Sequence, residues 1–243
     1  MARGGGTLED AHMPAHRPIA VRRARSLGAI VALTSYAALV RPRLRRWGAT
    51  AGELRGSFRG DELIPDGRVA STMATTIDAP PSAVWPWLVQ MGGDRAGFYS
   101  FDRLDNRGRP SAKRIHPEWQ DLAEGGRVLA VPDGRAWFDV ARLVPERTLI
   151  LRSSLSLPRA QHFDPSGPPP GAFSDSTWAF HLSPAGEHGT RLVIRAIGRG
   201  RPRMLGRLAE WVFWEPAHWV MQNRQFAGLR RRADASLAPA VAA

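Results

Sequence analysis

The sequence predicts an α+β domain in which a curved antiparallel β-sheet wraps around a long C-terminal helix, with an apolar helix preceding the domain. Three observations lead to this fold class. A strand-like run and a short helix come first, about five strand-like runs follow, and a long stretch with helical apolar spacing comes last. Strands joined by short turns form an antiparallel meander whose apolar face requires a cover. We expect the C-terminal helix to cover this face and to leave a cavity beneath it.

The first predicted elements are one strand and one helix. The run Val69–Asp78 is rich in β-branched residues, which favour strands. After two prolines, Val84, Leu88 and Met91 recur at helical spacing, and two glycines end the pattern. The chain therefore passes from a strand directly into a short helix.

The next predicted elements form the meander. Strands are predicted at Arg127–Val131, Ala136–Val144, Thr148–Arg152, Ser176–Leu182 and Arg191–Ile197. In the last two runs the alternating apolar positions are Trp178, Phe180, Leu182, Leu192, Ile194 and Ala196. A hairpin that joins these runs places both apolar faces on the same side of the sheet.

The last predicted element is the covering helix, within Pro202–Ser236. Its apolar residues at helical spacing are Leu205, Leu208, Val212, Trp219, Phe226 and Leu229. A proline inside a helix costs about 3 kcal/mol, so Pro216 is expected to kink the helix or divide it near Glu215.

Composition excludes several classes of protein. The chain has 243 residues and no cysteine, so disulfide scaffolds, thiolate nucleophiles and zinc–cysteine sites are impossible. The net charge of +12 comes from the ends of the chain. Residues 1–60 carry 11 basic and 3 acidic side chains, whereas residues 61–198 carry 15 and 16. Because a phosphate-binding groove needs its positive charge on the folded body, no nucleic-acid partner is predicted.

The N-terminal segment has the pattern of a membrane-seeking helix. Ser26–Val40 is uncharged and has arginines on both sides, and Trp47 stands where an interfacial aromatic would lie. Its 15 residues are fewer than the ~20 that span a bilayer core. We expect residues 26–47 to associate with a membrane as a single-pass anchor. The alternatives are a helix that packs on a cytoplasmic domain and a signal peptide, although no small-residue cleavage site precedes the arginines.

These patterns give a domain organisation. It comprises a disordered basic tail (1–25), the apolar helix (26–47), a linker (48–66), the ligand-binding domain (67–236) and a second disordered tail (237–243).

No catalytic motif is found in the sequence. A phosphate-binding loop, a GxSxG elbow and an HExxH motif are all absent. Acidic and histidine side chains cluster at Asp102, Asp105, His116, Glu118 and Asp121. Their spacing fits no metal site, and solvated or salt-bridged roles are the favoured interpretation. No metal, cofactor or catalytic residue is predicted.

Four stretches resemble one known superfamily. They are TIDAPPSAVWPWLVQMG (76–92), GFYSFDRLDN (97–106), IHPEWQDLAEGGRV (115–128) and EPAHWVMQNRQFAGLRRRA (215–233). Together they are similar to the SRPBCC (START-like) superfamily in its polyketide cyclase/dehydrase-like branch. The preceding PRLRRWGAT (42–50) is also similar to members of that branch. The resemblance implies a helix-grip fold with an internal ligand cavity, and it carries over no catalytic residue.

The predicted function is that of a binding or carrier domain for a small hydrophobic ligand in an internal cavity. The predicted cavity residues are Met91, Tyr99, Phe101, Trp119, Phe138, Trp178, Phe180, Trp219 and Met221. One alternative is an aromatase/cyclase-like enzyme in which Tyr99 or His181 transfers protons to a polyketide-type substrate. Another is a membrane-associated interaction module that uses the basic stretch Arg224–Arg232.

Overall fold

The computed structural model describes residue 28, residues 31–202 and residues 215–237. Both predicted tails lie outside these residues, except for Leu237, the first residue of the second tail. Residues 203–214 of the predicted C-terminal helix lie outside them as well. The chain divides into two compact units, Met1–Val40 and Arg41–Ala243. In the first unit residues 31–35 are helical, and a π-helix follows at Tyr36–Val40. Among the described residues, no helix combines the length and the hydropathy needed to cross a bilayer.

The second unit is built on a seven-stranded antiparallel sheet. The strands are β1 (Arg68–Ile77), β2 (Arg127–Leu129), β3 (Trp137–Val144), β4 (Thr148–Ser156), β5 (Gln161–His162), β6 (Phe173–Ala185) and β7 (Gly189–Arg201). The strand order is β1-β7-β6-β4-β3-β2, and β5 pairs with β4. With the C-terminal helix, Glu215–Leu237, this sheet forms the helix-grip arrangement, so the predicted α+β fold class is confirmed.

The core lies between one face of the sheet and the C-terminal helix, and we call this the inner face. Phe180 and Ile194 lie opposite each other on β6 and β7 and are buried, as the alternation predicts. Phe226 and Leu229 of the C-terminal helix belong to the same core. Burial of each such side chain contributes about 1.5–3 kcal/mol, which holds the helix on the sheet.

The remaining helices are short. They are Arg41–Arg45, Ala51–Arg55, Pro81–Val89 and Asp102–Asp105, with 3-10 turns at Asp61–Leu63 and Pro117–Trp119. In Pro81–Val89 the first proline occupies the first turn, where its missing N–H costs nothing. Val84 and Leu88 of this helix are fully buried, in agreement with the predicted face.

The segment predicted as a linker, residues 48–66, packs on the outer face of the sheet. Helix Ala51–Arg55 begins with a capping box formed by Thr50 and Glu53. Further along, the ring of Phe58 lies 4.9 Å from the ring of His181, and Ile64 is buried. The segment is therefore an ordered part of the second unit.

One edge of the sheet is strand β1, and the chain before it satisfies part of that edge. The amide of Ala74 donates to the carbonyl of Trp47 at 2.9 Å. The guanidinium of Arg45 donates to the carbonyls of Val69 and Ala70. An occupied edge offers fewer backbone groups to another strand, which protects the sheet against edge-to-edge association.

Candidate functional site

The inner face of the sheet has a packed half and a partly open half. In the packed half, Met73, Ile194, Phe180 and Leu149 form a row across four strands, and all four are buried. Toward the other end of the strands the inward positions carry small residues that remain partly exposed. These are Ala196, Gly198, Ser176 and Ser153, which we call the floor.

The strand register explains how three strands contribute to the floor. Gly198 of β7 lies opposite Ser176 of β6, and Ser176 lies opposite Ser153 of β4. Side chains of this size cannot fill the space that larger residues fill at the other end. The floor is thus the part of the inner face with the least side-chain volume.

An aromatic cluster stands between the floor and the packed half. The ring of Trp178 lies 4.7 Å from that of Phe180, 5.9 Å from that of Phe138 and 6.0 Å from that of Phe98. Aromatic faces at these separations provide a broad apolar wall. The floor and this cluster together contain no ionisable group, so the site suits an uncharged ligand.

Two indole N–H groups near this region have no acceptor. The Nε1 atoms of Trp178 and Trp219 are both buried and make no hydrogen bond. Trp178 adjoins the floor, and Trp219 packs against the same core from the C-terminal helix. Because a buried donor without a partner costs about 1–3 kcal/mol, an acceptor supplied by a ligand would stabilise either group.

A pair of buried glutamines ties the C-terminal helix to the loop that carries Phe98. The Nε2 atom of Gln225 donates to the carbonyl of Phe98 at 3.0 Å, and its Oε1 accepts from Gln222 Nε2 at 2.7 Å. Sequence analysis missed Phe98, Gln222 and Gln225. Gln222 and Gln225 could have been recognised in the sequence as two amides, three residues apart, on the apolar face of the predicted helix.

The predicted cavity residues do not all meet at this site. Phe138, Trp178 and Phe180 lie together in the aromatic cluster, and the sulfur of Met91 is 3.6 Å from Gln225 Nε2. Of the other five, Tyr99 belongs to the same core and Trp119 and Trp219 pack against it, whereas the core includes neither Phe101 nor Met221. Their role as ligand contacts stays a prediction.

Each of those five residues has a local partner. The Tyr99 hydroxyl donates to the Trp87 carbonyl at 2.9 Å, and the Met221 carbonyl accepts from Ser100 at 3.0 Å. Among the remaining three, the ring of Phe101 lies 5.8 Å from the guanidinium of Arg224. Trp119 stacks on His116 at 4.1 Å, and the ring of Trp219 lies 5.3 Å from that of Trp47.

The two side chains considered for proton transfer are poorly placed for it. His181 lies on the outer face, because it is adjacent to Phe180 on the same strand, and burial lowers its pKa to about 4. Burial also raises the pKa of Tyr99, whose hydroxyl is already engaged by Gln90 and Trp87. Neither the hydroxyl of Tyr99 nor the imidazole of His181 is therefore available at the floor.

Three members of the acidic cluster have structural partners, whereas both carboxylate oxygens of Asp105 are buried without one. Asp102 accepts from the amide and the hydroxyl of Ser111, and Glu118 lies 2.9 Å from His116 Nδ1. Burial, followed by the charge of Asp102, raises the pKa of Asp105 to about 6. Within the described part of the chain, no three histidine or acidic side chains are grouped to hold a metal ion.

The basic stretch of the C-terminal helix is partly engaged in packing. Arg230 donates to the Thr76 carbonyl at 3.1 Å, and Arg232 donates to the Ala112 carbonyl at 2.8 Å. These contacts fix the helix on the domain, so two of its positive charges are not simply displayed to solvent.

Comparison with known proteins gives structural likenesses only. No protein-family model and no curated protein matches the chain. Protein MLL2253 of Mesorhizobium loti aligns with 68% of this chain and 98% of its own, at 20% identity and a TM-score of 0.36. CalU16 of Micromonospora echinospora aligns with 68% and 83%, at 21% identity and a TM-score of 0.31. Mll3558 of Rhizobium loti aligns with 67% and 96%, at 17% identity and a TM-score of 0.39.

Likenesses this distant add nothing to the fold assignment, which rests on the sheet order and the C-terminal helix. Fold and site together define an α+β protein of helix-grip architecture whose inner sheet face is partly open.

Proposed function

We propose that this chain is a binding or carrier domain that holds a small hydrophobic ligand, lipid-like or polyketide-like, against the floor. The observation that carries the proposal is the change along the inner face from large buried side chains to Ala196, Gly198, Ser176 and Ser153. Ligand sites are concave and mostly apolar, with few polar groups. The floor and its aromatic wall have this composition.

The polar groups of the site suggest the ligand's chemistry. The unpartnered N–H of Trp178 calls for an acceptor, and the hydroxyls of Ser153 and Ser176 accept or donate. The aromatic wall favours a planar or polycyclic body. The ligand that fits is therefore uncharged, largely apolar and equipped with at least one carbonyl or hydroxyl oxygen.

The family and the cellular setting belong to the same proposal. Membership of the SRPBCC superfamily, in the polyketide cyclase/dehydrase-like branch, is supported by the four sequence stretches and by the helix-grip arrangement. Association with a membrane through residues 26–47 is supported by the uncharged stretch that ends at Val40 and by the arginines that follow it.

Native mass spectrometry of the full chain, followed by solvent extraction, tests the ligand-binding proposal. A filling variant, Gly198→Leu, adds a side chain on the floor, and its new Cβ meets nothing closer than 3.5 Å. The matched control is Ser183→Leu, at an exposed position on the outer face of β6. The wild type and the control should carry a discrete hydrophobic mass that the filling variant loses.

Two results would count against the proposal. Equal occupancy in the filling variant and the control would place the ligand away from the floor. A wild-type protein that is empty and binds no member of a lipid and polyketide panel would reject the carrier function.

A second candidate function is an aromatase/cyclase-like enzyme, and one contact favours it. His218 Nε2 lies 3.4 Å from the hydroxyl of Ser71, which is in the same inner row as Ala196 and Trp178. Burial lowers the pKa of His218, so its imidazole is neutral at pH 7 and able to accept a proton. Turnover of a polyketide-type substrate that His218→Phe abolishes without loss of binding would favour the enzyme over the carrier.

A further inference from the structure

A cleft of about 350 Å³ lies outside the floor, at the beginning of strand β1. Its lining includes three arginines, Arg45, Arg46 and Arg55, and two apolar residues, Leu54 and Val69. The cleft forms where β1 carries a bulge between Val69 and Ser71, which interrupts the regular pairing with β7.

The lining of this cleft is positively charged. Three arginines line it, and among the described residues that line it there is no carboxylate. The acids nearby already have partners: Glu215 lies 2.6 Å from Arg41 and 4.0 Å from Arg45, and Glu53 lies 2.8 Å from Arg191. The positive charge of Arg46 and Arg55 therefore remains in excess at the cleft.

Two of the three arginines remain available. Arg45 is fixed on the wall of the cleft by the carbonyls of Val69 and Ala70. Arg46 and Arg55 are exposed, and neither has a carboxylate partner among the described residues. Guanidinium groups bind phosphate with two parallel hydrogen bonds, so this pair is suited to a phosphate ester.

Apolar surface adjoins the charge. Val69 is 37% exposed, and Trp47, the residue after Arg46, is 48% exposed. Apolar surface does not stabilise a bound inorganic anion, whereas an amphiphilic ion buries such surface when it binds. In the sequence, the uncharged stretch that ends at Val40 comes only a few residues before Arg45.

We propose that this cleft binds the phosphate of an anionic phospholipid at a membrane surface, with Arg46 and Arg55 as its ligands. The site is separate from the floor and does not depend on the carrier function. Each arginine near an anionic surface contributes about 1 kcal/mol, so the pair should raise partitioning by about 30-fold.

Vesicle co-sedimentation of the full chain tests the proposal. The readout is the ratio of binding to vesicles that contain phosphatidylglycerol over binding to vesicles of phosphatidylcholine alone, because this ratio cancels any anchoring by the apolar segment. The double variant R46Q/R55Q should lower the ratio by about 30-fold. The control R103Q/R159Q changes two exposed arginines and removes the same charge, and it should leave the ratio nearly unchanged.

Three outcomes would overturn the proposal. One is a wild-type ratio near unity, and another is an equal loss in both double variants, which would indicate unspecific charge attraction. The third concerns the source of the phosphate. Calorimetry would show saturable binding of glycerol phosphate that is lost in R46Q/R55Q, while the wild type would not bind vesicles. This result would assign the cleft to a soluble phosphate ester.

Discussion

Gly228 of the C-terminal helix lies against the backbone of Tyr99, so closely that a Cβ atom on Gly228 would stand 2.3 Å from the Tyr99 carbonyl oxygen. Tyr99 itself has a positive φ of 61°, which few residues other than glycine adopt. The helix and the loop that carries the aromatic wall therefore meet with no space between them.

Gly228→Ala should destabilise the protein by about 1–3 kcal/mol, because the clash with backbone outweighs the gain in helix propensity. The midpoint of urea unfolding measures this loss. Gly52→Ala, in a short helix where the nearest atom to a new Cβ is 3.9 Å away, is the control and should be neutral or slightly stabilising. A Gly228→Ala protein as stable as the wild type would show that the loop moves aside freely.

Trp178→Phe should separate the hydrogen bond from the apolar contact in ligand binding. The change removes the unpartnered N–H and keeps an aromatic ring. Affinity for 2-acetylnaphthalene should fall by about 5- to 10-fold, as expected for one hydrogen bond, whereas affinity for 2-ethylnaphthalene should stay within about a factor of two. Calorimetric titration measures both.

The control for that experiment is Trp137→Phe, whose indole already donates to Asp139 at 3.1 Å. It should alter neither affinity. An equal loss for both naphthalenes in Trp178→Phe would mean that the indole contributes only its surface.

Asp175→Asn should cost about 3 kcal/mol of folding stability. The carboxylate of Asp175 is fully buried and accepts hydrogen bonds from Arg152, Arg199 and Ser154. Burial opposes its ionisation, but these donors hold its pKa below the usual range. An amide in its place leaves Arg152 without a counter-charge and Arg199 with only the exposed Asp66, 3.9 Å away. Thermal unfolding of this variant, compared with the exposed Asp234→Asn, measures the difference.

His181 should make stability depend on pH. Its folded-state pKa of about 4 lies below the ordinary value because burial disfavours the charged imidazole. Between about pH 4 and pH 6.5 the unfolded chain therefore binds more protons than the folded chain. The contribution of the neutral imidazole to the free energy of unfolding is complete above about pH 6.5 and is lost as pH falls toward 4. The free energy of unfolding relative to His181→Phe should fall by roughly 3 kcal/mol over this window.

Asp105 should make stability depend on pH in the opposite direction to His181. Its pKa is raised to about 6, so the folded state holds the proton more tightly, and this contribution is lost as pH rises through that value. The difference between wild type and Asp105→Asn should thus change in the opposite direction over the same pH range. If both differences were independent of pH, neither group would be perturbed by folding.

Local sequence patterns predict much of the fold. The alternation of Trp178 and Phe180 on one strand and of Leu192 and Ile194 on the next determines which faces are buried, and the helical spacing of Phe226 and Leu229 determines the cover. Such patterns depend only on residues close in the chain, so they are visible before any tertiary contact is known.

Register and close packing were decided by the tertiary structure alone. Ser153, Ser176 and Gly198 come from three strands, and only the pairing of those strands brings them together as a floor. Likewise, the packing of Phe58 on His181 depends on a distant segment folding back over the sheet. The sequence by itself determined the elements and their buried faces, because these follow from side-chain periodicity. The position of the site was decided by contacts between residues far apart in the chain, which periodicity does not encode.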